Sequence, residues 1–154
     1  MKATRNSPIV SSDKTPSDQW NGHRPRVLVV DDETAIADAL AKILSLSGFP
    51  AIAAYDGDGA LDSALLLPPE MLITDVMLPG MNGIDLAITI KRVYPECKVL
   101  LFSGLASTSD LMATARRAGH TFTLLNKPVP PEALLALVAE GLNASGTGKS
   151  AAMA

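Results

Sequence analysis

The stretch RVLVVDDETAIADALAKIL, residues 26–44, carries a short apolar run directly into two neighbouring carboxylates, Asp31 and Asp32. The β-branched run before the acids is typical of a buried strand, and the residues after them are typical of an amphipathic helix. Neighbouring anions repel each other, so this pair is either solvated or part of a site that holds a cation.

The alternation of an apolar run with an amphipathic segment occurs five times along the chain. Strands are predicted at residues 26–30, 50–55, 71–75, 98–102 and 121–125. One helix follows the first strand and ends at Gly48, and others are predicted at 58–66, 83–93, 108–118 and 131–141. The first helix presents an apolar face formed by Ile36, Leu40, Ile43 and Leu44. This order favours an α/β fold with a five-stranded parallel sheet covered by helices on both faces.

Length and composition indicate one globular domain. The chain has 154 residues, of which 47% are hydrophobic and 19% charged. Residues 1–24 are rich in Ser, Thr, Asn, Asp and Pro and predict a flexible N-terminal leader, and 143–154 predict a flexible C-terminal tail. The folded domain is therefore expected to span residues 25–142.

Charge and cysteine content exclude several classes of protein. The formal net charge of −3 supplies no basic field, so no direct nucleic-acid partner is expected. The single cysteine, Cys97, cannot form an internal disulfide, and we interpret it as a partly buried small residue without chemistry. The N-terminus lacks the apolar core of a secretory signal, and no apolar run is long enough to insert into a membrane. A cytoplasmic location is expected.

Polar side chains follow four of the predicted strands at the point where each strand ends. Asp31 and Asp32 follow the first strand, Asp75 ends the third, Ser103 follows the fourth and Lys127 follows the fifth. The carboxyl ends of parallel strands share one edge of a sheet, where ligands bind. The sequence therefore predicts that three carboxylates, one hydroxyl and one ammonium converge.

This set of groups suits phosphoryl transfer with Mg²⁺, a hard cation that prefers oxygen ligands. A carboxylate with a free oxygen can attack phosphorus in line and form an acyl phosphate, and Asp75 is the candidate nucleophile. The Lys127 ammonium would pair with one phosphoryl oxygen and the Ser103 hydroxyl with another.

Four segments, in order, resemble the receiver domains of two-component response regulators: VLVVDDE, ITDVMLPGMNGIDL, LLFSG and LLNKPV. The resemblance covers about residues 26–140 and implies a flavodoxin-like, doubly wound sheet with strand order 2-1-3-4-5. It implies that Asp75 is the phosphoacceptor, that Asp32 is a direct Mg²⁺ ligand, and that Asp31 acts near the metal largely through water. The Met77 carbonyl would be a further ligand. Ser103 and Lys127 take the switch-hydroxyl and phosphate-binding roles, and the Lys127–Pro128 peptide bond would be cis.

The resemblance also implies the partners of a single-domain, stand-alone response regulator. A sensor histidine kinase or a histidine phosphotransfer protein would supply the phosphoryl group. A downstream protein target would then recognise the fourth helix, fifth strand and fifth helix, or the phosphoryl group would be passed onward to another protein. The resemblance is also compatible with a homodimer. The domain would be no enzyme beyond self-catalysed phosphotransfer and dephosphorylation.

The sequence also allows alternative interpretations of the chain and of single motifs. Leu124 occupies the position where many similar receivers carry a switch aromatic, so a phosphorylation-independent scaffold is one alternative. An aspartyl-nucleophile phosphatase is a weaker one, because Met77 stands where that chemistry needs an acid. Asp31 or Asp32 taken alone could cap the first helix. The tail segment GTGKS, residues 146–150, lacks the spacing of a phosphate-binding loop.

Overall fold

The structure is a computed structural model that describes the backbone of residues 24–104 and 109–153 and the side chains of 24–104 and 110–143. The predicted N-terminal leader, residues 1–24, lies outside the described residues except for Arg24. Within the described residues, no helix combines the length and the apolar character needed to cross a bilayer.

Five strands alternate with five helices, as the hydrophobic pattern predicts. The elements are β1 (Val27–Val30), α1 (Thr34–Leu46), β2 (Ala51–Ala54), α2 (Gly57–Leu66), β3 (Met71–Asp75), α3 (Gly83–Val93), β4 (Lys98–Ser103), α4 (Ser109–Arg117), β5 (Thr123–Asn126) and α5 (Pro131–Met153). The sheet has the order β2-β1-β3-β4-β5, and each neighbouring pair is parallel. The flavodoxin-like, doubly wound fold is thus confirmed.

The two central strands are buried on both faces of the sheet. Every residue of β1 and β3 is buried, and successive side chains of a strand point to opposite faces. Leu28 and Val30 enter a core shared with α2, α3 and α4, whereas Val27 and Val29 enter a second core shared with α1 and α5. The carboxyl ends of β1 and β3 are therefore held side by side between two packed layers.

Helix α1 buries a face that differs in part from the predicted one. Ala37, Ala41 and Leu44 are its buried residues, whereas Ile36, Leu40 and Ile43 are only partly buried. Small side chains allow a helix to approach the sheet closely, so the alanines occupy the centre of the contact and the larger residues lie beside it. A prediction from hydrophobicity alone assigns the buried face to the larger residues, and for this reason it differs from the observed face.

Helix α5 is longer than predicted. The predicted helix ended at residue 141, before a flexible tail at 143–154, but the backbone of α5 continues to Met153. The added segment contains no proline that would end the helix, and its three alanines favour a helix although its two glycines oppose one. The segment GTGKS lies within this helix, so it does not form a phosphate-binding loop.

Candidate functional site

Three acids meet at the carboxyl edge of the sheet. Asp31 follows β1, Asp75 is the last residue of β3, and Asp32 is next to Asp31. Each offers a carboxylate oxygen, and these atoms all lie within 4.8 Å of one another. Asp31 is 2% exposed and Asp75 9% exposed, while Asp32 is exposed to solvent. The three acids thus lie together at one edge of the sheet, as the sequence predicts.

Lys127 links two of the three acids. It follows β5, and its Nζ donates to Asp31 Oδ2 and to Asp75 Oδ2, each over 2.9 Å. Burial alone would lower the pKa of this ammonium, but hydrogen bonds and charge attraction from Asp75 and Asp31 outweigh burial and raise the pKa. The group is therefore a stable cation at neutral pH. The Lys127–Pro128 peptide bond is cis, as the resemblance implies.

The remaining carboxylate oxygens of Asp31 and Asp75 accept backbone hydrogen bonds. Asp75 Oδ1 accepts from the Met77 N–H at 3.2 Å, and Asp31 Oδ1 accepts from the Glu33 N–H at 2.9 Å. Glu33 is the N-cap residue of α1, and its side chain makes no capping hydrogen bond. Neither Asp31 nor Asp32 thus occupies the N-cap position that the alternative interpretation assigned to one of them.

The loop after β3 positions Asp75 by close backbone contact. Asn82 caps α3, since its Oδ1 accepts from the Asp85 N–H at 2.8 Å. The Gly83 N–H donates to the Val76 carbonyl at 2.8 Å. A Cβ at Gly83 would overlap the Asp75 carbonyl oxygen. The predicted turn residues thus do more than turn the chain, because Gly83 lets α3 begin directly against the phosphoacceptor candidate.

Ser103 and Lys127 are brought to the same edge by the pairing of β4 with β5. Ser103 is buried at the end of β4, and its carbonyl accepts from the Lys127 N–H at 2.9 Å. Leu124 is partly buried and packs against the core shared with α2, α3 and α4. Ligation of a metal by the Met77 carbonyl, and the hydroxyl role of Ser103, remain predictions.

Two features were not apparent from the sequence. The first is that Asp31 and Asp75 share one ammonium. The two acids are 44 residues apart, and their positions in the sequence do not show that they have a common hydrogen-bond donor. The second is the need for glycine at position 83, for which the only signal was the Asn-Gly pair.

Cys97 takes no part in this edge. It is a free cysteine, buried immediately before β4, and burial raises the pKa of its thiol to about 12. The thiol is therefore protonated at neutral pH, in agreement with its interpretation as a small core residue.

The donor set fits a hard divalent cation. Three carboxylates offer oxygen ligands, and the single ammonium of Lys127 leaves their negative charge incompletely balanced. Mg²⁺ is bound by carboxylate oxygens and retains water, which an exposed Asp32 permits.

Comparison with known proteins identifies the family. The sequence matches the response regulator receiver domain over residues 27–139. The DNA-binding response regulator MtrA of Mycolicibacterium smegmatis is 32% identical over 115 residues, with 75% of this chain and 49% of MtrA covered. The nitrogen assimilation regulatory protein NtrX of Azorhizobium caulinodans is 32% identical over 118 residues, with 75% of this chain and 26% of NtrX covered. The chain thus spans about half the length of MtrA or less than a third of NtrX.

Solved structures give the same result. A CheY-like receiver domain protein from Methanospirillum hungatei JF-1 has a TM-score of 0.74 at 28% identity, with 82% of this chain and 99% of that chain covered. A two-component transcriptional regulator AraC from Clostridium phytofermentans ISDg has a TM-score of 0.70 at 30% identity, with coverages of 81% and 98%. The expectation of no nucleic-acid partner finds no support here, because MtrA is named a DNA-binding regulator. Matched along most of its length in sequence and in structure, this chain belongs to the receiver domain family of two-component response regulators.

Proposed function

We propose that this receiver domain accepts a phosphoryl group on Asp75 from a sensor histidine kinase or a histidine phosphotransfer protein. The observation that carries the proposal is the environment of Asp75 compared with that of the other two acids. Asp75 combines contact with Lys127 and partial exposure. Both oxygens of Asp31 and both oxygens of Asp75 accept hydrogen bonds, but Asp31 is 2% exposed against 9% for Asp75, so Asp75 is the more accessible of the two to a phosphoryl donor. Asp32 is exposed and makes no ion pair with Lys127.

The chain's own groups suit each part of this transfer. An Asp75 oxygen would form a bond to phosphorus while the bond between phosphorus and the partner's histidine nitrogen breaks, and that nitrogen keeps the electron pair. Lys127 then loses one carboxylate charge and is free to pair with a phosphoryl oxygen. The Ser103 hydroxyl would donate a hydrogen bond to a second phosphoryl oxygen. Mg²⁺ held by Asp31, Asp32, Asp75 and the Met77 carbonyl would neutralise charge on the phosphoryl oxygens.

The output is proposed to be a change in protein contacts, or onward transfer of the phosphoryl group, in the cytoplasm. The fold supports this role because β5 is the edge strand beside Ser103 and Lys127, and α4 and α5 pack into the two cores on opposite faces of the sheet. We favour a regulator that signals without its own catalytic turnover. MtrA is a DNA-binding regulator by name, and the same receiver chemistry would serve as its input.

Incubation with acetyl phosphate and Mg²⁺, followed by intact-mass measurement, tests the proposal. The wild-type protein should gain one phosphoryl group, and Asp75→Asn should gain none. Asp62→Asn, which changes an exposed acid of α2, is the matched control and should behave like wild type. Phosphate release without an accumulating adduct would favour a phosphatase, and complete inertness would favour a phosphorylation-independent scaffold.

A further inference from the structure

The amino end of β4 borders a notch in the sheet. β4 begins at Lys98, but its register with β5 begins only at Leu100, which faces Thr123. The first two residues of β4 therefore have no β5 neighbour. A cavity of about 420 Å³ occupies this notch. It lies at the opposite end of β4 from Ser103, and so at the opposite edge of the sheet from Asp75.

The described side chains that line this cavity include cations and no acid. Lys91, Lys98 and His120 contribute two ammonium groups and an imidazole, and Thr121 and Thr123 add hydroxyls. This composition contrasts with a chain whose formal net charge is −3. A cavity lined by two ammonium groups and no acid attracts an anion.

The two lysines differ in how they are held. Lys91 Nζ donates to the Pro95 carbonyl at 2.7 Å and to the Cys97 carbonyl at 3.0 Å. An ammonium has three N–H donors, so one remains for a ligand. Lys98 makes no ion pair within the part of the chain that the structure describes. One cation is therefore pre-positioned and the other is available.

The rest of the cavity wall suits the non-charged part of a small molecule. The His120 ring is stacked on Phe122, with centroids 5.6 Å apart. Gly141 of α5 faces Met71 so closely that a Cβ would lie 2.8 Å from the Met71 Cε, and both residues line the cavity. Its volume lies within the roughly 300–1,000 Å³ typical of small-molecule sites.

We propose that this cavity binds a small phosphate-bearing molecule, with the phosphate held between Lys91 and Lys98. Lysine binds phosphate as a compact charge, and a dianion matches two ammonium groups better than a single carboxylate does. Hydroxyl and imidazole donors beside the lysines can bind the remaining phosphate oxygens. The proposal concerns a site separate from Asp75, so it does not depend on phosphoryl transfer there.

Binding can be measured by NMR titration of Asp75→Asn in EDTA, conditions that remove the phosphoacceptor and any divalent ion from the other edge of the sheet. The probes are glucose 6-phosphate, inorganic phosphate and glucose. We expect saturable shifts of the amides at Lys98, His120 and Thr123 with glucose 6-phosphate, weaker binding of inorganic phosphate at the same amides, and none of glucose. Equal affinity for the two phosphates would mean an inorganic anion site and would overturn the proposed ligand class.

Two charge variants give the decisive comparison. Lys98→Gln should weaken glucose 6-phosphate binding by roughly tenfold, because a charge-assisted contact is lost. Lys42→Gln removes the same charge from an exposed position on α1 and should leave binding unchanged. Equal weakening by both variants would show a general charge effect and overturn the site. An amide spectrum of the Lys98→Gln variant that keeps the dispersion of the parent spectrum reports that the domain is folded.

Discussion

The ammonium of Lys127 lies 2.9 Å from Asp75 Oδ2, although 52 residues separate the two in sequence. The same ammonium is shared with Asp31, whose Oδ2 is also 2.9 Å away. One cation therefore offsets the repulsion among three acids only in part. In the metal-free domain the ion pairs with Lys127 limit the destabilising repulsion among the three carboxylates. The negative charge that remains is available for a divalent cation to balance.

Replacing Lys127 with Met should destabilise the metal-free domain. Asp31 and Asp75 would lose their cationic partner while remaining largely buried. Loss of charge-assisted hydrogen bonds to buried groups costs about 1–3 kcal/mol. Urea unfolding in EDTA measures this change, with the exposed Lys42→Met as control. Mg²⁺ should stabilise the Lys127 variant more than wild type, because the ion replaces the missing charge. A variant as stable as wild type in EDTA would contradict this account of the ion pairs.

The stability that Lys127 contributes should disappear at high pH. Burial lowers the pKa of Lys127, but hydrogen bonds and charge attraction from Asp75 and Asp31 outweigh burial and raise the pKa above its ordinary value. A group whose pKa is raised by folding contributes stability that is complete below its unfolded pKa and is lost as the pH rises through its folded pKa. The difference in unfolding free energy between wild type and Lys127→Met should be constant near neutral pH and should shrink above pH 10.5. A difference that stays constant at higher pH would refute the assignment.

Gly83→Ala should impair both stability and phosphoryl acceptance. The added Cβ would overlap the Asp75 carbonyl oxygen and lie 2.9 Å from its carbon. Both are backbone atoms, so no side chain can move to relieve the contact, and overpacking of this kind costs about 1–3 kcal/mol. Gly48→Ala is a useful control, because its φ of 97° imposes backbone strain at the end of α1, away from Asp75. Only Gly83→Ala should slow adduct formation with acetyl phosphate.

Cys97 should react with thiol reagents only when the domain opens. Burial raises its pKa to about 12, so the reactive thiolate is scarce at neutral pH. Alkylation by iodoacetamide, followed by mass spectrometry, should be slow in buffer and fast in denaturing urea. Rapid alkylation of the native domain would show that this thiol is accessible.

The family resemblance supplied the strand order, and the alternation of strands and helices predicted which residues meet at the site. Asp75 ends one strand of a parallel sheet and Lys127 follows another, and that topology brings strand ends to one edge whatever their separation in sequence. Hydrogen-bond partners were less predictable, because they depend on side-chain rotamers and on the distance between layers. The shared contact of Lys127 with Asp31 is one such case.

Packing details also went beyond hydrophobic patterns. On α1 the alanines at 37 and 41 are buried more deeply than Ile36 and Leu40. The extent of a contact depends on how closely two elements approach, and a hydrophobicity pattern does not contain that distance. The requirement at Gly83 has the same origin, since it arises from a neighbouring backbone and not from a property of the local segment.

Asp32→Asn should stabilise the metal-free domain and weaken its response to Mg²⁺. Asp32 is exposed, yet its carboxylate offers an oxygen within 4.8 Å of those of Asp31 and Asp75. Two like charges about 4 Å apart in a water-like medium repel by about 1 kcal/mol, so the neutral amide should gain up to that amount. The gain should fall in high salt, which screens the repulsion.

Thermal unfolding of wild type, Asp32→Asn and the exposed control Asp62→Asn, each with EDTA or Mg²⁺, measures both effects. If Mg²⁺ stabilises Asp32→Asn as much as wild type, Asp32 is no ligand; if the variant is less stable in EDTA, the acids are not in mutual repulsion. The predicted pattern, greater stability without metal and a smaller gain with it, would show that this edge gives up stability for the capacity to hold a cation.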